Sequence, residues 1–447
     1  MVFNRTTLII FTVATFFCSS YAVAAEKWQG QVPKVAEQPE IWQELIPALI
    51  DKGMYYGALA SAENMLNFFS DLPSKELAYQ TVVQLIDMGY PFSTRAIFIP
   101  GDLDPKGSDN FTQSYLVYKG IVNIDKKMLK WSEYYFNKVD QSNFPKFLFY
   151  KAAQAYQKKK LVETVNLLKQ TLTKATTAEH AILAQKAART LARIYYEMHE
   201  FEKSQEIYQT FLLKMNPITP SDWLESAWNY YQMKQYPEAL GLVYNFESKA
   251  AGESLQVEKY ILRALIYREY CSTEAADSMI KSFEKEFGEI IDGIKLGEPL
   301  VKFPLLVKVA HPDTQEYRQF AQTIVELKNE SERLDDLPKK LRDIASYVYE
   351  NELKMADRRL RVQDNRIRDI LARHLIILSE SLKFVKFDVV RAKYNPEHVF
   401  LQEEPIATPL VDSSDEYKFR LHWLQWGDYW RDERLLYRGI LKNQCQP

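Results

Sequence analysis

The sequence predicts an all-α protein: a solenoid of stacked helical hairpins, then a long helical, coiled-coil-like arm, then an aromatic C-terminal helix. Three observations carry this expectation. The first is an internal repeat. Ala192, Tyr195, Tyr196, Met198, Phe201, Ser204, Ile207 and Phe211 recur 35 residues later as Ala227, Tyr230, Tyr231, Met233, Tyr236, Ala239, Leu242 and Phe246. Side-chain size persists while charge drifts, as in arrays of helix–turn–helix units. The second is composition: 14 glycines in 447 residues are too few for a turn-rich β architecture, and 28 tyrosines with 24 phenylalanines suit cores filled by aromatic knobs. The third is a small residue near the start of each second helix. Two helices that cross closely enough to bury aromatic side chains leave no room for a large one at the crossing. Each hairpin then exposes an apolar face that only a stacked neighbour covers.

Residues 1–25 read as a signal peptide. Arg5 precedes the apolar run Leu8-Ile9-Ile10-Phe11-Thr12-Val13-Ala14, and Ala22-Val23-Ala24 is a small–x–small exit. The expected location is periplasmic or secreted. Phe16-Phe17 ahead of Cys18 argue against lipidation. Residues 26–290 are assigned to the solenoid. Its lead-in carries Pro33 and Pro39, and helical pairs begin near Ile41. Gly53-Met54-Tyr55-Tyr56-Gly57-Ala58 is the first turn and Gly89-Tyr90-Pro91-Phe92, with Ala96, the next. The Pro/Gly/Asp-rich residues 98–110 read as a loop that interrupts the stack. Tyr115 to Val139 gives a further pair. Ala152, Tyr156, Leu161, Thr164, Leu167 and Leu172 then precede Ala192, Tyr196, Phe201, Ser204, Ile207 and Leu212 by 40 residues. Ala264, Tyr267, Ala276, Met279 and Phe283 follow Ala227, Tyr230, Ala239, Leu242 and Phe246 by 37.

Past Phe287 the pattern breaks, and residues 291–312 read as a connector. Residues 313–394 form the charged arm. One helix spans Thr314 to Leu334, and Pro338 opens the next. Leu360, Ile367, Leu371, Leu378, Leu382 and Val385 make a heptad-like seam. That seam is open to homodimerisation or to packing within the chain, the latter being simpler because a partner helix is at hand. Residues 395–447 are the aromatic C-terminal segment, in which Asp412 and Ser413-Ser414 can cap a helix bearing Trp423, Trp426 and Trp430.

Several functions are disfavoured. The formal net charge of −2 becomes about −3 without Arg5, and the charges are mixed in sign, so no general phosphate-binding field exists and nucleic acid is not an expected partner. No later run reaches membrane-span length. The six histidines form no His-x-x-x-His pair, and neither a phosphate-cradling glycine loop nor a Gly-x-Ser-x-Gly elbow occurs. Catalytic residues, metal ligands and cofactors are therefore not assigned. The arm's arginines, Arg358, Arg359, Arg361, Arg366, Arg368 and Arg373, alternate with aspartates and read as a solvated, self-paired face. His374 on the seam reads as a packed, hydrogen-bonded histidine.

After signal removal, Cys271 and Cys445 are the remaining cysteines. They either close into a bridge that ties the last residues back onto the array, or stay as thiols. Polar positions on first helices, namely Arg193, Glu197, Asn229 and Gln232, are the candidate partner contacts on the solenoid. Trp423, Trp426 and Trp430 either dock into the fold or meet a partner, a protein or the glycan of peptidoglycan.

The array resembles the tetratricopeptide family. The residues that carry the likeness are Gly53-x-Tyr55-x-x-Ala58, Ala192…Tyr196…Phe201…Ser204 and Ala227…Tyr231…Tyr236…Ala239, with Pro217 and Pro220 near a unit's end. The spacings of 35, 37 and 40 depart from that family's repeat of about 34, which points to longer turns. The resemblance implies protein–protein scaffolding with no chemistry of its own. Tyr267-x-x-Tyr270-Cys271…Ala275-Ala276…Phe283 and the ending Trp430-Arg431-Asp432-Glu433 are similar to exported tetratricopeptide proteins of gliding-motility envelope machines. That similarity implies a periplasmic scaffold in a trans-envelope complex.

Overall fold

A computed structural model describes residues 34–90, 103, 105, 109–140, 144–177, 180–214, 220–245, 257–306, 315–394, 438–439, 441 and 444–445. The expected signal peptide, most of the 98–110 loop and the segment bearing Trp423, Trp426 and Trp430 lie outside the described residues. Among the described residues the fold is all-helical, without strands.

The helices follow one another as hairpins. They are α1 (Pro39–Asp51) with α2 (Tyr55–Phe68), then α3 (Leu72–Asp87), then α4 (Asn110–Asp125) with α5 (Leu129–Phe136) and α6 (Pro145–Gln157) with α7 (Leu161–Lys174). After these come α8 (Ala181–Glu197), α9 (Phe201–Thr210), α10 (Pro220–Gln232) with α11 (Tyr236–Tyr244), and α12 (Glu258–Glu269) with α13 (Thr273–Lys295). Asp71 and Asp109 cap α3 and α4, each accepting a backbone N–H at 2.9 Å.

One turn geometry recurs through the series. Gly53, Gly89, Lys127, Lys159, His199, Lys234 and Cys271 all have φ between +54° and +95°, the left-handed region. The steps between them are 36, 38, 32, 40, 35 and 37 residues. The turns at Gly53, Gly89, Lys127, Lys159, Lys234 and Cys271 are closed by the same two bonds, of 2.8–3.0 Å. The left-handed residue donates its N–H three residues back, and the next residue donates five back, as from Met54 to the Leu49 carbonyl. This is the Schellman arrangement, which satisfies carbonyls that a helix end leaves unpaired.

Five residues beyond each of six left-handed positions stands the small residue of the crossing: Ala58, Ser132, Thr164, Ser204, Ala239 and Ala276. All six are wholly buried. Ser132 belongs to a hairpin whose repeat is faint in sequence, yet it occupies the same place. Gly120 on α4 shows how tight such crossings are, since a Cβ there would lie 2.0 Å from Phe136 Cε1.

The chain divides into two compact units. The first comprises residues 1–197 and 314–364, the second residues 198–313 and 365–447. The arm is made of α14 (Gln315–Ser331) and α15 (Lys339–Tyr394). It is not a module of its own, because α14 and the start of α15 belong to the first unit and the rest of α15 to the second. The reason is burial. Leu341, Ile344, Ala345, Val348 and Tyr349 are core residues in the first unit, and Leu375, Leu378, Leu382, Val385 and Val389 in the second. The seam's later half thus packs within the chain. In the second unit, α13 runs through Gly288 and Gly293 to Lys295, past the break expected after Phe287. Gly293 serves packing: a Cβ there would lie 2.5 Å from Phe303 Cζ.

Candidate functional site

Of the polar positions expected to meet a partner, two are interior. Asn229 is wholly buried and donates from Nδ2 to Ser204 Oγ at 3.0 Å. Gln154 does the same two hairpins earlier, donating to Ser132 Oγ at 3.0 Å. Gln154 and Asn229 each stand five residues before a left-handed turn, and Ser132 and Ser204 each stand five after one. A hydroxyl chosen for its size at the crossing needs a bond once buried, and an amide on the next hairpin supplies it. Arg193 is 6% exposed. Burial therefore removes Asn229 and Arg193 from the surface a partner meets. Gln232 is half-buried, as is Glu197, whose carboxylate accepts the Tyr156 hydroxyl at 3.0 Å.

In the second unit a strap closes the last hairpin. Cys271 and Cys445 are joined, with Sγ–Sγ 2.09 Å, Cα–Cα 4.9 Å and a sequence separation of 174. Cys271 is itself the left-handed residue of the α12–α13 turn. Beside it, the Gln444 N–H donates to the Tyr270 carbonyl at 3.0 Å and the Gly439 N–H to the Pro237 carbonyl at 2.8 Å. Gly439 lies so close to α11 that a Cβ would be 2.6 Å from Leu240 Cβ. Arg438 Nε sits 3.4 Å from Glu238. The strap therefore crosses the turn ends of two successive hairpins, α10–α11 and α12–α13.

The same unit holds α15 by charge. Arg268 on α12 meets Glu269 at 2.6 Å and Asp388 on α15 at 3.1 Å. Burial works against the guanidinium charge, but Glu269, then Tyr231 and Asp388, outweigh it and raise its pKa. His374 Nε2 lies 3.1 Å from Glu258, so the seam histidine is a bonded one at the margin of the core.

In the first unit a different device fastens α14 to the first hairpin. The Glu330 carboxylate is buried and accepts the Gly57 N–H at 2.8 Å, the Tyr56 N–H at 3.0 Å and the Tyr349 hydroxyl at 2.8 Å. The two amides belong to the first turn of α2, where helix N–H groups lack partners and the dipole favours an anion. Arg333 donates to the Lys52 carbonyl at 2.8 Å, at the C-terminus of α1. The end of α14 thus caps both helix ends that meet at the turn. Burial raises the Glu330 pKa against the lowering effect of its three hydrogen bonds, and burial first, then Glu330, raises that of Tyr349. Sequence reading missed this site. Its available signal was Gly57, a glycine inside a helix, which leaves space for Tyr349 Oη where a Cβ would be 2.0 Å away.

A second cluster also escaped notice. Lys119 is wholly buried, with its ammonium 5.5–6.0 Å from the ring centres of Tyr79, Tyr115 and Tyr135. Among the described residues no group of three His, Cys, Asp or Glu is placed to hold a metal ion, and no helix is long and apolar enough to cross a membrane. No protein-family model matches the chain, and none of the curated proteins matches it in sequence.

Proposed function

We propose that this protein is an exported scaffold that docks another protein of the cell envelope through its hairpin series, in a trans-envelope and motility-associated complex. The observation that supports the reading is the recurrence of one turn and one buried small residue through the hairpins. Such arrays present long surfaces built from equivalent positions and generally bind partners. The Cys271–Cys445 bridge fits an oxidising compartment such as the periplasm. The exposed parts of Gln232 and Glu197 remain as contact positions. Photo-crosslinking from inside the cell tests this. A crosslinker at position 232 or 197 should capture a discrete partner, whereas one at buried position 229 should not. Equal capture from all three positions, or none from any, defeats the proposal.

A second reading rests on α15. Ile370 and Ile377 are exposed and seven residues apart, and so are Phe387 and Tyr394. That spacing forms an outer stripe suited to a second copy of the chain. Light scattering of the full chain and of an Ile377→Glu, Phe387→Glu variant decides it: a monomer mass in both rules out the dimer.

A further inference from the structure

The turn edge of α4–α5 and α6–α7 carries a surface that scaffolding does not account for. Residues 126–163 hold nine lysines and three carboxylates in a chain of net charge −2. Lys126, Lys127, Lys130 and Lys159 are exposed, and none of them is within ion-pair distance of a carboxylate among the described residues. Lys158 reaches across to Glu133 on α5 at 3.0 Å, and Gln154 to Ser132 at 3.0 Å, so the two turns are neighbours. Lys127 and Lys159 both adopt φ of +59°, where the ends of α1 and α3 use glycine. A lysine there carries a conformational cost that glycine avoids. The helix dipole accounts for one basic residue at each C-terminus, not for runs of two and three.

The same edge exposes aromatic surface. Trp131 is 45% and Tyr134 46% exposed, with ring centres 5.7 Å apart, and Val162 on the adjoining hairpin is 68% exposed. Lys138 Nζ lies 4.4 Å from the Tyr134 ring centre. Tryptophan and tyrosine flanked by lysines match the region where bilayer headgroups meet acyl chains: amphipathic rings settle at the interface and ammonium groups meet lipid phosphates.

We propose that this edge seats the protein on an anionic bilayer surface, with Lys126, Lys127, Lys130 and Lys159 against lipid phosphates and Trp131 and Tyr134 in the headgroup layer. The full chain should co-sediment with vesicles of phosphatidylcholine plus phosphatidylglycerol, weakly with phosphatidylcholine alone, and less as sodium chloride is raised. At about 1 kcal/mol per lysine, roughly fivefold each, Lys126→Glu, Lys127→Glu, Lys130→Glu should lower partitioning about a hundredfold or more. A variant with the same charge change elsewhere, Lys281→Glu, Lys285→Glu, Lys328→Glu, should retain most binding. Trp131→Ala should weaken binding without altering its salt dependence. Equal loss in the two triple variants would reduce the effect to bulk charge and overturn the proposal. So would failure to bind either vesicle while immobilised polyglutamate still captures the chain, because the edge would then be a protein or peptide site.

Discussion

In the first hairpin the Lys52 carbonyl accepts a hydrogen bond from Arg333, 281 residues away in sequence, and in the last the equivalent Tyr270 carbonyl accepts one from Gln444. Both carbonyls belong to the residue just before the left-handed position of the turn. Both turns are thus finished by a segment recruited from far along the chain. The chemistry differs. The first hairpin is held by buried hydrogen bonds centred on Glu330, the last by a covalent bond and a short strap. Recruiting a distant segment costs loop-closure entropy. The carboxylate device must offset that cost in the folded state, whereas the bridge removes it from the unfolded ensemble. The two ends should accordingly answer to different conditions, pH at one and reductant at the other.

The largest expected effect is reduction of the bridge, or Cys445→Ser. For a sequence separation of 174 the chain-entropy model gives about 5 kcal/mol. The melting temperature should fall, and hydrogen exchange should rise at the α12–α13 turn while the α1–α2 turn stays protected. An unchanged melt, with both thiols shown to be reduced, would mean that the strap fastens nothing.

The hairpin series was largely legible in the sequence, because size and spacing survive where a crossing admits only a small side chain: Ala58, Thr164, Ser204, Ala239 and Ala276 were all found in that way. Ser132 was not, since its hairpin keeps the turn but few of the flanking aromatics. The devices at the two ends were harder to read. Glu330 is one of 59 acidic residues, and nothing local marks it as the one that meets α2. Cys271 and Cys445 were visible as a pair, but spacing alone cannot give a distance. Asn229 and Arg193 were misread for a physical reason. A polar residue on a first helix is taken to face water, yet Asn229 bonds a hydroxyl that is buried because the crossing demands a small residue.

Next in size, Glu330→Ala leaves the Tyr56 and Gly57 amides and the Tyr349 hydroxyl without their acceptor, at a cost of about 3 kcal/mol. Exchange should rise at the start of α2 and not at the α12–α13 turn, the reverse of the reduced protein. The pH response has a definite sign. Glu330 has a folded-state pKa above the ordinary 4.5, so between those values the native state binds more protons than the unfolded state. Its contribution to stability is greatest below 4.5 and declines as pH rises through the folded value. Denaturant titrations of wild type and Glu330→Gln across that window should differ in slope in that direction, and parallel curves would remove Glu330 as the titrating group. Gly57→Ala should cost about 2 kcal/mol, because its Cβ would displace the Tyr349 ring. Adding Tyr349→Ala should recover part of that loss, which a purely local effect of alanine on α2 would not allow.

The smallest effect separates the two regions at the level of the turn itself. Gly53 and Lys234 hold the same left-handed place, at φ +68° and +60°. A Cβ at Gly53 meets nothing nearer than 4.0 Å, so space is not what keeps glycine there. Gly53→Ala should therefore cost about 1 kcal/mol from backbone conformation alone. Lys234→Gly should gain somewhat less than that, because glycine also widens the freedom of the unfolded chain. If the turns are equivalent units, the two substitutions in one protein should nearly cancel in a melt, their sites being far apart in sequence and without shared partners. A gain at Lys234 absent altogether would show that the lysine makes a compensating contact, and that the turns differ in energy despite sharing one geometry.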